Sequence, residues 1–329
     1  MKKIKLGIIG CGIAARRLHF PALLKLKNKI EIVAVCNHTE KKAKSFSKLV
    51  GGVPYVLDYK ELLANKDVDA VDIVLPIDLN YEVTLASIKA GKHMFVEKPL
   101  AATPTDAKKL VDAARNKNVV CLLAENYRYD KLYLDTKGML KIGAIGEVYS
   151  LLWNMNQNVT PTNEYAQTVW RKNNKYAGGF IFDGGIHNIA ALRLLLGEMK
   201  AVTALKQSVN PLIGSDDTMS MMFETKNGKS CLMNLFFSVK GHQKSNLLIF
   251  GSKGTIQIIN NTILVKKENQ SEKKFVVTTD GGFTAEFENF YNAIIKGEKV
   301  IGTFEEGLKD VKVMFSSFES SDKRKRILL

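Results

Sequence analysis

The sequence has few cysteines and no long apolar run. Its four cysteines, Cys11, Cys36, Cys121 and Cys231, are scattered, and none forms a C-x-x-C pair. This argues against a disulfide framework or a zinc site and indicates buried thiols in a reducing cytoplasm; we expect no bound metal. No stretch reaches the roughly 18 apolar residues that a membrane span needs. Lys5 and Arg16-Arg17 interrupt the first apolar segment, so we read it as a strand and not as a signal peptide.

Acidic residues are also scarce. Asp and Glu number 33 against 48 Lys and Arg, which gives a formal charge of +15. The excess is spread along the chain, and the one dense basic cluster, Lys323–Arg326, lies at its end. Nucleic-acid surfaces usually concentrate their charge, so we predict no nucleic-acid partner. The net positive charge favours anionic ligands, including a phosphorylated cofactor.

The size of the chain, 329 residues of which 46% are hydrophobic, is enough for two domains. In the first part, strands and helices alternate. Strands are predicted at Ile4–Ile9, Glu31–Cys36, Val71–Leu75, His93–Glu97 and Val119–Leu123, and helices at Arg16–Lys27, Tyr81–Ala90 and Pro104–Asn116. This rhythm predicts a Rossmann-type, doubly wound parallel sheet over residues 1–124.

A dinucleotide fingerprint follows the first strand. The motif G-x-G-x-x-A comprises Gly10, Gly12, Ile13, Ala14 and Ala15. The first glycine permits a tight turn, the second lets backbone approach a pyrophosphate, and the alanine lets the next helix pack closely. The alternative is a glycine-rich loop without a ligand, but a strand before and a helix after favour the dinucleotide site.

The end of the second strand decides the cofactor. An Asp or Glu here would hold the 2′-hydroxyl of NAD, but this chain has Asn37. His38, Thr39 and Lys42 follow and offer partners for a 2′-phosphate. We therefore predict NADP(H) in preference to NAD(H). The alternative is that these residues only form the first turn of an exposed helix.

The strand at His93 ends in Glu97, Lys98 and Pro99. Proline cannot donate to a sheet, so the strand stops here, and Lys98 lies at a carboxyl end, where open α/β sheets bind ligands. A solvated lysine in an ordinary loop is the alternative for this motif taken alone.

The second domain, residues 125–329, has a different pattern. After a helix at Lys131–Lys141, alternating stretches joined by tight turns predict a large, mainly antiparallel open sheet in an α+β domain, with a cleft between the two domains. Further helices are predicted at about Gly184–Leu196, Phe283–Ile295 and Glu305–Phe318.

Asp183 and His187 are four residues apart at the start of one of these helices, so they share a face. A carboxylate beside an imidazole suits a general base. Asp183 alone could instead be a helix N-cap, and a lone histidine on an apolar helix is more often a core residue.

Together these motifs resemble the glucose–fructose oxidoreductase / inositol dehydrogenase / MocA (Gfo/Idh/MocA) family over essentially the whole chain. The matching features are the fingerprint with His19 and Pro21, Ala90–His93, Glu97-Lys98-Pro99, Glu125-Asn126-x-Arg128, Gly143-x-x-Gly146, Trp170-Arg171, and Gly178-Gly179 leading to Asp183-x-Gly185-x-His187.

The resemblance implies an enzyme that transfers a hydride between nicotinamide and a small polyol, sugar, aldehyde or ketone. It implies catalytic roles for Lys98, Asp183 and His187 in the cleft, with His187 moving the hydroxyl proton. It further implies cofactor contacts from Pro76, Asn80, Glu97 and Lys98, and substrate contacts from Asn126, Arg128, Trp170 and Arg171.

Two positions depart from the family pattern, since Asn80 and Ala190 stand where the family often has His and Asp. A typical inositol or glucose substrate is therefore in doubt. The alternative function is a non-catalytic NAD(P)-binding sensor or regulator on the same fold, although a sensor needs no general base. We also expect a homodimer or homotetramer through the second sheet, whose outer face is predicted to carry Leu232, Leu235 and Phe237.

Overall fold

A computed structural model describes residues 2–172 and 176–329. The chain divides into two compact units. The first contains the residues up to Tyr129 together with Gly282–Val311, and the second contains Asp130–Gly281 together with Lys312–Leu329.

The first unit is built on a six-stranded sheet whose neighbouring strands are all parallel. The strand order is β3-β2-β1-β4-β5-β6, in which the order reverses beside β1 as in a doubly wound fold. The strands are β1 (Ile4–Ile9), β2 (Ile30–Cys36), β3 (Tyr55–Val56), β4 (Ala70–Ile73), β5 (His93–Glu97) and β6 (Cys121–Ala124). The predicted Rossmann-type sheet is confirmed.

Helices connect these strands. A wide π-type turn at Ala15–His19 runs directly into α1 (Phe20–Lys25), and a short 3-10 turn at Asn126–Arg128 follows β6. The remaining helices are α2 (Glu40–Leu49), α3 (Tyr59–Ala64), α4 (Ile77–Lys89) and α5 (Pro104–Ala114). Thr103 caps α5 by accepting the Asp106 N–H at 3.1 Å, and Pro104 occupies the first helical position.

The chain returns to the first unit near its end, which the predicted boundary at residue 124 did not anticipate. Helix α9 (Phe283–Lys296) packs Phe287, Phe290 and Tyr291, each at most 2% exposed, into the same core as β1 and β5. The first part of α10 (Phe304–Lys323) adds Phe304 to the core on the other side. Amphipathic helices join whichever core buries their apolar side, and sequence order does not fix that choice.

The second unit contains a nine-stranded sheet with the order β14-β13-β12-β11-β7-β10-β9-β8-β15. Its strands are β7 (Val148–Asn156), β8 (Met199–Gln207), β9 (Thr218–Thr225), β10 (Ser230–Phe236), β11 (Asn246–Gly251), β12 (Gly254–Ile259), β13 (Thr262–Lys267), β14 (Lys273–Val276) and β15 (Ile327–Leu328). Strands β7 and β10 are parallel, and the other paired neighbours are antiparallel, so the mainly antiparallel sheet is confirmed.

Besides the end of α10 and a 3-10 turn at Pro211–Ile213, the described residues of the second unit form three α-helices. They are α6 (Lys131–Lys141), α7 (Val169–Lys172) and α8 (Gly179–Leu196). Helix α8 is long and apolar enough to cross a membrane by length and composition, but 83% of it is buried inside the protein, as in the core helix of a folded domain.

The two faces of this sheet differ in exposure. On β10, Leu235 is fully buried and Leu232 is 51% exposed, because neighbouring side chains on a strand point to opposite faces. Phe237 is also buried. The prediction that all three residues share an outer face is therefore wrong for Leu235 and Phe237 and holds for Leu232.

Candidate active site

The glycine fingerprint forms the turn between β1 and the following helix. Gly10 has a φ of 105°, and a Cβ at this position would lie 2.1 Å from the carbonyl oxygen of Val74. Gly12 has nothing within 4 Å of its Cβ position, so the backbone is open to a ligand there. Ala15 is fully buried against the core, as the fingerprint predicts. An open backbone at the start of a helix fits the pyrophosphate of a dinucleotide.

Asn37, at the end of β2, is tied to this turn. Its Oδ1 accepts the Cys11 N–H at 3.2 Å, and its Nδ2 donates to the Thr39 carbonyl oxygen at 3.3 Å. His38 and Lys42 are exposed just beyond. The structure thus brings Asn37 beside the fingerprint and leaves the side chains of His38 and Lys42 accessible to a ligand.

Arg16 was not predicted as a site residue, yet it links the same two segments. Its Nε donates to the Cys11 carbonyl oxygen at 3.2 Å, and its Nη2 donates to the Lys42 carbonyl oxygen at 3.3 Å. Its guanidinium lies 5.2 Å from the centre of the Phe46 ring. An open groove of about 640 Å³ is lined by Arg16, Lys41, Lys44, Ser45, Lys48 and Leu49. The groove carries four cations and no carboxylate, so it favours an anion.

Lys98 is half-buried directly after β5, and its peptide bond to Pro99 is cis. Asn80, on α4, is fully buried, and its Nδ2 donates to the carbonyl oxygens of Glu97 at 2.9 Å and Pro99 at 3.0 Å. Pro76 precedes α4 as its N-cap residue. Asn80 therefore holds the backbone on both sides of Lys98. Asn80 was predicted to contact the cofactor, and this backbone contact was not predicted.

Glu97 is part of a buried ionisable cluster that the sequence reading missed. One oxygen accepts the Lys98 N–H at 3.0 Å, and the other lies 2.8 Å from the Nε2 of His19. The Nδ1 of His19 lies 2.8 Å from Asp72 in β4. One feature of the sequence could have predicted this cluster. Asp72 is a carboxylate inside an apolar strand, and such a group requires a buried partner.

In the second unit, Arg171 and Asp183 are in contact. The Nε of Arg171 donates to Oδ2 of Asp183 at 2.7 Å, and both side chains are about nine-tenths buried. The guanidinium lies 3.9 Å from the centre of the Trp170 ring and 5.1 Å from that of Tyr165, within cation–π range. Predicted substrate and catalytic residues thus form one local group.

His187 lies on α8 one turn after Asp183 and is half-buried. The helix begins at Gly179, five residues earlier than predicted, and Gly178 with φ 81° is its N-cap. The interpretation of Asp183 as an N-cap is therefore wrong. Because both residues lie within a continuous helix, their spacing does place them on the same face.

Asn126 and Arg128 lie in the 3-10 turn after β6, and both are buried. The Nη2 of Arg128 donates to both oxygens of Asp310, at 2.8 and 2.7 Å, and its Nη1 lies 3.4 Å from Glu306. This ion pair gives Arg128 a structural role inside the first unit, and its predicted substrate contact stays a prediction. Within residues 2–172 and 176–329, no group of three or more His, Cys, Asp or Glu side chains is placed to hold a metal ion.

Comparisons with known proteins agree with this architecture. The NAD-binding Rossmann-fold part of the GFO_IDH_MocA oxidoreductase family matches residues 4–125, and its C-terminal alpha/beta part matches residues 137–329. An uncharacterised protein of Saccharomyces cerevisiae is 32% identical over 91% of this chain and 90% of its own length. A dTDP-3,4-didehydro-2,6-dideoxy-alpha-D-glucose 3-reductase of Saccharopolyspora spinosa is 29% identical over 78% of this chain and 75% of its own.

Among solved structures, an oxidoreductase from Thermotoga maritima superposes with a TM-score of 0.93 and 34% identity, covering 99% of this chain and 98% of that one. Both parts of the family thus match this chain. A relative that is more than 30% identical also matches over nearly its full length. The chain belongs to the Gfo/Idh/MocA family of NAD(P)-dependent oxidoreductases.

Proposed function

We propose that this protein catalyses hydride transfer between a nicotinamide cofactor and a sugar or a small polyol, aldehyde or ketone. The observation that carries the proposal is the fingerprint turn, where Gly10 closes the turn and Gly12 leaves the backbone open. The sugar class is supported by the Saccharopolyspora relative, which is named as a reductase of a sugar nucleotide.

The cofactor, when bound, accepts or supplies the hydride. The fingerprint turn binds its pyrophosphate through backbone N–H groups. In the oxidative direction, the imidazole of His187 takes the hydroxyl proton as the carbon loses its hydride, and it returns the proton in the reductive direction. The ammonium group of Lys98 stabilises negative charge on the reacting oxygen. Asp183, with its charge balanced by Arg171, orients the substrate or His187.

We further propose a preference for NADP(H). Asn37 adds no negative charge at the position where an acidic residue would repel a 2′-phosphate. The adjoining groove offers Arg16, Lys41, Lys44 and Lys48. A 2′-phosphate carries nearly two negative charges, so cations beside it favour the phosphorylated cofactor.

The protein is also proposed to form a homo-oligomer in the cytoplasm through the outer face of its nine-stranded sheet. Met222 and Leu232 are paired across β9 and β10 and are 54% and 51% exposed. Leu152 and Leu248 continue the same row on β7 and β11. Such a row on an open sheet is typical of a surface that a second copy covers.

The deciding experiment is a titration with NADPH and NADH followed by a screen of sugars, polyols and aldehydes. We expect binding and turnover in the wild type. In His187→Ala, kcat falls by about 10²- to 10⁴-fold while the cofactor Kd stays nearly unchanged, and in Lys98→Met kcat falls by a similar factor. Cofactor binding without turnover of any substrate would favour the sensor alternative, and unchanged kcat in His187→Ala would remove the acid–base role.

A further inference from the structure

A histidine lies fully buried inside the first unit between two carboxylates. His19 is 0% exposed, with Nδ1 2.8 Å from Asp72 and Nε2 2.8 Å from Glu97. The rings of Phe95 and Phe287 stand edge-on to the imidazole, with centroids at 5.6 and 5.4 Å. No solvent reaches the ring, so both contacts are made in an apolar setting.

The two contacts suit an imidazolium that lies between two ionised carboxylates. An ionised carboxylate only accepts hydrogen bonds, and a neutral imidazole has a single N–H to donate. Two contacts to Asp72 and Glu97 are both satisfied when both ring nitrogens of His19 carry protons. Burial by itself lowers the pKa of His19, but the charges and hydrogen bonds of Asp72 and Glu97 outweigh it and hold the pKa well above 6.5.

Further buried acids lie around the ring, and burial also raises the pKa of Asp72, against the lowering effect of His19. Glu286 of α9 is fully buried, and neither of its carboxyl oxygens has a hydrogen-bond partner among the described residues. Burial raises the pKa of Glu286 well above 4.5, which favours its neutral form, and Glu125, 1% exposed, is a further acidic neighbour of Glu286. Acidic groups near His19 thus come from β4, β5 and α9, and the turn after β6 adds Glu125 beside Glu286.

This cluster is connected to Lys98 by hydrogen bonds. Oε1 of Glu97 faces His19, and Oε2 of the same carboxylate accepts the backbone N–H of Lys98 at 3.0 Å. Loss of the contact with His19 removes one of the hydrogen bonds that hold the Glu97 carboxylate, so the acceptor of the Lys98 N–H is held less firmly.

We propose that His19 is a positioning residue for Lys98: as an imidazolium held by Asp72, it fixes the Glu97 carboxylate, which fixes the backbone from which Lys98 extends. His19 touches neither substrate nor cofactor, because it is fully buried. The effect on turnover rests on the proposed function, whereas the effect on the Lys98 backbone does not.

The first test is amide hydrogen exchange at Lys98, read by mass spectrometry on short peptides. Because Pro99 has no N–H, the difference in deuterium uptake between a peptide that ends at Glu97 and one that ends at Pro99 reports the Lys98 amide. We expect His19→Gln to accelerate exchange at Lys98 by about tenfold. The control is Tyr129→Phe, which removes a buried hydroxyl that holds the Gly302 N–H at 2.8 Å in the same unit. Equal exchange at Lys98 in His19→Gln and wild type would overturn the proposal.

The second test is kinetic. With the substrate found in the screen, His19→Gln should lower kcat by at least about tenfold at a nearly unchanged cofactor Kd, while Tyr129→Phe leaves kcat within about twofold. If the wild type turns over no substrate, the proposed function fails, and the exchange experiment still decides the role of His19.

Should His19→Gln not fold, histidine-selective ¹⁵N labelling of the wild type provides the answer. The chain has five histidines, so five ring signals are expected. One should remain doubly protonated at pH 8.5, and replacing the other four singly should leave it in place. Five neutral rings at that pH would overturn the proposal.

Discussion

Arg171 and Asp183 form an ion pair inside the second unit, with 2.7 Å between Nε and Oδ2 and with both side chains about nine-tenths buried. The sequence suggested each as a site residue separately, and the structure joins them. Their contact means that a change at Asp183 alters both the local charge and the position of Arg171.

We expect Asp183→Asn to lower the free energy of unfolding by about 1–3 kcal/mol, because it removes the negative charge that the Nε of Arg171 contacts while keeping one acceptor oxygen. Chemical denaturation checks this value. The matched control is Glu319→Gln, which breaks the exposed pair with Lys323 in the same unit and should cost less than about 1 kcal/mol. Equal effects of the two changes would contradict the assignment of a buried pair.

The cofactor preference is tested by Asn37→Asp. The new carboxylate keeps an acceptor for the Cys11 N–H but repels a 2′-phosphate, so the Kd for NADPH should rise by at least about tenfold, or 1.4 kcal/mol, while that for NADH does not. Fluorescence titration measures both. Asn65→Asp makes the same change in an exposed turn of the same unit and should alter neither Kd. A wild type that binds NADH more tightly than NADPH would contradict the preference.

The buried acid Glu286 predicts a pH dependence of stability. Its native pKa lies above the ordinary 4.5, so the native state holds the proton more tightly than the unfolded state does. Stability from this group is therefore complete below about pH 4.5 and falls by about 1.4 kcal/mol per pH unit as pH rises towards the native pKa. Glu286→Gln mimics the neutral acid. We expect it to match the wild type near pH 4.5 and to exceed it in denaturation midpoint at pH 8; a lower midpoint at pH 8 would show that the site prefers the anion.

The proposed oligomer is tested on the outer face of the sheet. Leu232→Glu places a charge in the centre of the apolar row, and we expect the sedimentation mass to fall to that of a monomer. Ile142→Glu is the control, since Ile142 is 80% exposed and lies beyond the end of α6, away from the sheet. A wild type that sediments as a monomer, or an unchanged mass in Leu232→Glu, would exclude this interface.

Local patterns predicted the elements with strong signals. β5 was predicted over His93–Glu97 as observed, because an apolar run closed by Glu-Lys-Pro leaves little choice. The strand β14 was missed, because Lys273–Val276 is an exposed edge whose lysines hide the alternation. The start of α8 was placed late, because Gly178 and Gly179 read as loop while a positive φ at Gly178 in fact begins the helix.

The site residues also differ in how well local sequence patterns predict them. The fingerprint and Lys98 stood in recognisable motifs, so their local settings could be predicted. The roles of Asn80 and Arg128 could not, because their partners, the Pro99 carbonyl and Asp310, are distant in sequence. His19 and Glu286 become neighbours only after β4, β5 and α9 have packed, and no local sequence pattern predicts that they are close.

The return of α9 to the first unit also sets the order of events during synthesis. Phe287, Phe290 and Tyr291 close a core whose other members end at Tyr129. A ribosome adding about 5–20 residues per second needs roughly eight to thirty seconds to translate the intervening chain. During that interval the nascent Rossmann-type sheet presents an apolar surface to solvent, and a chaperone that shields such surfaces has a defined window in which to bind.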